Sequence, residues 1–89
     1  MLDRNWRGPS GEIDLVVAHG AVLVVVEVKA RASDRFGSPA LAVDARKQRR
    51  LRRLALEWLA AHPEQRGREL RFDVVAVTGA DVDVIVAAF

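Results

Sequence analysis

At 89 residues, 51% hydrophobic and 29% charged, the chain reads as a single domain, 1–89, with enough apolar material for a packed core and too much for disorder. It has no cysteine, so disulfides and thiolate metal sites are excluded. A cytoplasmic protein is expected, since no apolar run approaches the ~20 residues of a membrane span and the opening MLDRNWRGPSG has no signal-peptide core.

The first eleven residues, with Trp6, Gly8, Pro9, Ser10 and Gly11, read as a loop leading into a strand. EIDLVVA, 12–18, is β-prone, and His19-Gly20 suits a tight turn. AVLVVVEVKA, 21–30, is a strongly β-branched strand, and SDRFGSP, 33–39, breaks the pattern as an exposed loop. A helix is predicted from about Val43 or Asp44 to His62-Pro63, because Leu51, Leu54, Ala55, Trp58 and Leu59 recur at helical spacing. After the polar connector 64–69, LRFDVVAVT, 70–78, and DVDVIVAAF, 81–89, complete the order ββαββ. That order predicts an α/β fold, a central sheet with one long helix packed on it.

Charge singles out two places. The net charge is only +2, but six of the 14 Lys and Arg residues lie in RKQRRLRR, 46–53, and the remaining eight are outnumbered by 12 acidic ones. A polyanion would meet that basic segment, unless it is simply a solvated helix face. On the helical wheel Arg46, Arg49, Arg50 and Arg53 fall opposite the apolar stripe, facing solvent. Lys47 falls inside the stripe with Gln48 at its edge. Lys47 either reaches a site at the helix start or snorkels to the rim.

The second place is the hairpin. Glu12, Asp14, Glu27 and Lys29 interrupt its most β-prone stretch. With His19-Gly20 as the turn, Glu12 lies opposite Glu27 and Asp14 opposite Val25, and all four charges share one face. Ile13, Leu15, Val17 and Val22, Val24, Val26, Val28 then form the core face. An odd-length loop or one bulge would reverse this. Clustered carboxylates repel, and one lysine does not neutralise three of them. A divalent cation with hard oxygen ligands resolves the imbalance, and Mg²⁺ or Mn²⁺ suits it better than zinc. Such an ion, held between Asp14 and Glu27, would polarise a phosphoryl oxygen, with Lys29 steadying the nucleophile. The competing reading is ion pairing on a charged edge strand. Arg71 and Asp73 share a strand face and read as a structural pair, Trp58 as core packing, and Trp6 as a ring on which a base could stack.

Asp14 followed by Glu27-Val28-Lys29 resembles the D–(D/E)xK signature of restriction-endonuclease-like nucleases. GEIDLV, VEVKAR, FGSPALAVDARKQRRL and RFDVVAV together resemble the YraN-type endonuclease family, related in fold to archaeal Holliday junction resolvases. The resemblance covers nearly the whole chain. It implies a restriction-endonuclease-like mixed sheet and Mg²⁺- or Mn²⁺-dependent cleavage of DNA, with branched DNA suggested by the resolvase kinship. It also implies Asp14 and Glu27 as metal ligands, Glu12 as a further acid, Lys29 as the catalytic lysine and Arg31 as a phosphate contact; Lys47 and Gln48 join Arg31 as candidate nucleic-acid contacts. Family members usually carry a helix ahead of the RNxR segment, so the domain is expected to be truncated at its N-terminus, with dimerisation through a bared sheet face or loss of activity as consequences. The alternative functions are a non-cleaving nucleic-acid-binding module of the same fold and a purely structural domain.

Overall fold

The structure, a computed structural model, describes residues 1–31 and 43–89. The loop expected over 33–39 lies outside the described residues. Five strands form one sheet in the order β1 (Asp3–Gly8), β2 (Gly11–His19), β3 (Val22–Arg31), β4 (Glu69–Thr78) and β5 (Asp81–Ile85). All neighbours are antiparallel except β3 and β4, which are parallel. A parallel pair needs a long crossover, and helix α1 (Ala45–Ala61) lies in it. The predicted mixed α/β sheet with one long helix is therefore present, an arrangement consistent with a restriction-endonuclease-like domain. No helix among the described residues is long and apolar enough to cross a membrane.

Three local expectations need correction. Asp3–Gly8, read as loop, is an edge strand; it pairs from Asp3–Val16 to Gly8–Gly11. Glycine and arginine suit a strand with only one neighbour. The hairpin turn is Gly20-Ala21, one residue later than expected, with His19 paired to Val22 and Gly20 at φ +60°. The last strand stops at Ile85. Ala87 takes φ +51° and Phe89 folds back to stack on Phe72 at 5.0 Å.

Helix α1 starts at Asp44, whose carboxylate accepts from the Lys47 amide at 2.8 Å and satisfies one of the unpaired first-turn donors. It buries Leu51, Leu54, Ala55 and Trp58 against Val16, Leu23 and Val25 of the hairpin and Phe72 and Val74 of β4. Trp58 is 1% exposed, as its helical spacing predicts. Its indole donates to Asp3 Oδ2 (3.1 Å) and it stacks on His62 at 4.0 Å. Trp6 also packs on this core, with its ring over Gly8, where an added Cβ would sit 2.5 Å from ring carbon. It is a packing residue, and Gly8 is what makes room for it.

The opposite face carries Leu15, Val17, Val24, Val26, Val75 and Val84. It also carries the Arg71–Asp73 pair, joined by two 3.0 Å bonds, with Asp73 further accepting from the Ala87 amide. This pair serves the chain reversal after β5, in keeping with its structural reading.

Candidate functional site

The face assignment expected for the hairpin holds only in part. Ile13 and Val16 both belong to the core under α1, while Leu15 and Val17 lie on the far face. Strict alternation cannot put residues 13 and 16 on one side, so the strand changes face between them. The change occurs at Asp14. Trp6–Ile13 and Arg4–Leu15 pair on either side of it, and Asn5, across from it, adopts φ +52°. Asparagine tolerates that left-handed conformation better than most residues.

This break decides which charges meet. Leu15 pairs with Val26 rather than with Val24, and the ladder stops there, leaving Asp14 beside the Glu27-Val28 segment of β3 rather than opposite Val25. Pairing of β3 with β2 ends at Leu15–Val26, whereas pairing with β4 continues to Arg31–Thr78. In the gap so opened, the Val28 amide donates to Asp14 Oδ2 at 2.8 Å. One carboxylate oxygen is thereby fixed, and the other has no hydrogen-bond partner among the described residues. Leu23 and Val25 face α1, so Glu27 and Lys29 extend the same face beyond the end of the core.

Helix α1 begins where β3 ends, because the crossover must return along the sheet. Its first turns therefore stand beside Glu27 and Lys29. Burial raises the Glu27 carboxyl above its ordinary range, the Asp14 charge adds to this, and Lys47, Lys29 and Arg50 oppose it. Contact with the Lys29 side chain pulls the Lys47 amine below its ordinary range, with burial adding. Asp14, Glu27, Lys29, Lys47 and Arg50 thus form one cluster, with an acid pair facing a cationic wall. Such a cluster suits an anionic ester with a cation between it and the acids.

Glu12 stands apart. It precedes the break and lies opposite Arg7, with 3.7 Å between carboxylate and guanidinium. Among the described residues no three His, Cys, Asp or Glu side chains gather as an ion-holding group. Two carboxylates nevertheless fit a Mg²⁺-like ion, which commonly takes one or two from protein and fills its remaining positions with water and substrate phosphate. The Gln48 amide donates to the Val43 carbonyl at 3.0 Å and so serves the helix start. Arg31 pairs through its backbone with Thr78.

Replacing Glu27 by glutamine is expected to raise the melting temperature of the ion-free protein at neutral pH. Glu27 keeps its proton to higher pH in the folded than in the unfolded chain. Stability therefore falls as pH rises from the ordinary carboxylate range through the raised value, and above it the full cost remains. Glutamine removes that cost, modestly because Glu27 is only half buried. Melts at several pH values check this: the gain should vanish towards acid, where the native carboxyl is already neutral. A glutamine variant less stable at neutral pH would show that the acid is well paired.

A family model described as "Uncharacterised protein family UPF0102" matches residues 1–77. A UPF0102 protein of Frankia alni is 56% identical over 78 residues, which are 88% of this chain and 64% of that protein. One of Beutenbergia cavernae is 56% identical over 77 residues, covering 86% and 64%. One of Moorella thermoacetica is 48% identical over 95 residues, covering all of this chain and 78% of the relative. The chain thus spans somewhat less than two thirds of the first two relatives.

Proposed function

The chain belongs to the UPF0102 family, and from the charges gathered at Asp14 we propose that it is a metal-dependent endonuclease that hydrolyses DNA phosphodiester bonds. The observation that carries this reading is the meeting of Asp14 with the Glu27-Val28 segment of β3. The Asp14 carboxylate accepts from the Val28 amide and its charge acts on Glu27, two residues before Lys29, at the end of the parallel strand where α1 starts. Binding sites in open α/β sheets favour that end of the strands.

The carboxylates of Asp14 and Glu27 would hold Mg²⁺ or Mn²⁺, which when bound neutralises phosphate charge and orients water. The chain's own residues supply the rest. Lys29 and Lys47 set positive charge against the non-bridging oxygens, where negative charge grows as water attacks. The water oxygen bonds to phosphorus, one P–O ester bond breaks, and the water's proton ends on the leaving oxygen. The net result is one phosphate end and one hydroxyl end. The Asp14–Val28 bond holds the acid in place and avoids the cost of ordering it during the reaction.

A non-cleaving nucleic-acid-binding module is the second reading. In its favour is the Glu12–Arg7 pair, which leaves the cluster with two acids. A cleavage panel over linear, nicked, flapped and four-way DNA with Mg²⁺ or Mn²⁺ separates the two. Ion-dependent cutting of any of these supports the nuclease. Binding to all of them without cutting supports the module.

A further inference from the structure

We propose that the groove between the β1–β2 turn and helix α1 is a track for the sugar–phosphate backbone of a nucleic acid, leading to the Asp14–Glu27 pair. The inference rests on the nucleic-acid reading above and assigns the path by which such a substrate lies on the protein.

The groove has a volume of about 670 Å³ and is lined by Pro9 and Ser10 of the β1–β2 turn and by Arg46, Lys47, Arg49, Arg50 and Arg53 of the helix. The helical wheel turned these arginines towards solvent, and they are indeed outside the apolar stripe. What the wheel does not show is the second wall. The β1–β2 turn rises beside the helix and is pinned there, since Ser10 donates to Glu57 through both its amide (3.1 Å) and its hydroxyl (2.6 Å). A solvated face becomes a channel with a built side.

Three features point to phosphates. The arginines recur at i, i+3, i+4 and i+7, forming a row about 10 Å long at ~1.5 Å rise per residue. Each strand of duplex DNA presents a charge every ~3.4 Å along the helix axis, so about three phosphates of one backbone fall within that length. The one carboxylate among the described lining, Asp44, is engaged as the helix N-cap. Pro9 is the only apolar residue among the described lining, so the groove lacks the buried anchor that a protein partner or a membrane surface would require. Finally, Lys47 and Arg50 line the groove and also act on Glu27. A strand lying in it would be delivered to the acid pair.

The test is anisotropy of a labelled duplex titrated with the protein at several KCl concentrations, in EDTA so that no cutting occurs. The variant is Arg49→Gln with Arg53→Gln, since glutamine keeps helix propensity and neither arginine is among the groups acting on Glu27. The control pair is Arg4→Gln with Arg66→Gln, both outside the groove lining. The groove variant should bind on the order of tenfold more weakly at moderate salt, and the slope of log affinity against log salt should flatten by about 2. The control pair should leave the slope unchanged. Equal slopes for the groove and control variants would overturn the track, and so would displacement of the duplex by polyglutamate of matched charge. The two proposals fail separately. If the variant binds and cuts DNA like the wild type, the track falls and the nuclease stands. If the slope flattens but no DNA is ever cut, the nuclease falls and the track stands.

Discussion

Replacing Lys29 by alanine is expected to lower Mg²⁺- or Mn²⁺-dependent DNA cleavage by on the order of 10²–10³-fold, the cost of removing one preorganised donor from developing charge, while the fold persists. Lys29 lies beyond the buried part of β3 and is half-exposed. Its backbone pairing with Ala76 does not depend on the side chain. The variant also relieves Lys47, which Lys29 holds below its ordinary proton affinity, so stability should hold or rise slightly. The assay is initial cleavage rate on whichever DNA the wild type cuts, with thermal melting alongside. A folded variant cutting within a few-fold of wild type would remove Lys29 from the chemistry.

The largest expected effect on stability lies elsewhere, at Trp58→Ala. Large-to-small changes of a fully buried tryptophan cost about 3–5 kcal/mol, against total stabilities of about 5–15 kcal/mol for ordinary domains. Here the loss also leaves the Asp3 carboxylate without its indole donor and strips His62 of its stacking partner. Asp3 is on the edge strand β1 and Trp58 on α1, so the change loosens the tie between them. Urea unfolding followed by circular dichroism should show a variant that is largely unfolded or has a sharply lowered midpoint. Leu56→Ala on the same helix, where the leucine is 61% exposed, should change stability by no more than about 0.5 kcal/mol.

The sequence carried the helix nearly to the residue, because Asp44 is a good cap and Leu51, Leu54, Ala55 and Trp58 repeat at helical spacing. It carried β3 and β4 because long β-branched runs leave little choice. It did not carry β1, since an edge strand needs pairing on one side only and can be built from residues that otherwise mark loops. The hairpin register was missed by one residue. Glycine as the first of two loop residues was the available signal, because that position favours positive φ in hairpin turns. The face change at Asp14 had no such signal, as it depends on Asn5 across the ladder adopting a left-handed conformation. The two misreadings act in opposite directions on the site. The later turn ends the β2–β3 ladder at Leu15–Val26 and leaves Asp14 beside the Glu27-Val28 segment, while the break leaves Glu12 paired with Arg7. Lys47 was legible as an ammonium on the packed side of the helix. The Ser10–Glu57 tether was not, because its partners are 47 residues apart.

The account turns on whether Asp14 and Glu27 together bind a hard divalent ion. Calorimetric titration of Mn²⁺ into the wild type, Asp14→Asn and Glu27→Gln measures this without reference to any substrate. The expected result is a single site in the wild type, weakened at least about tenfold in each variant, since loss of even a supporting partner typically costs 10–100-fold in affinity. Wild-type protein that takes up no Mn²⁺, or variants that bind it as tightly as the wild type, would contradict the account.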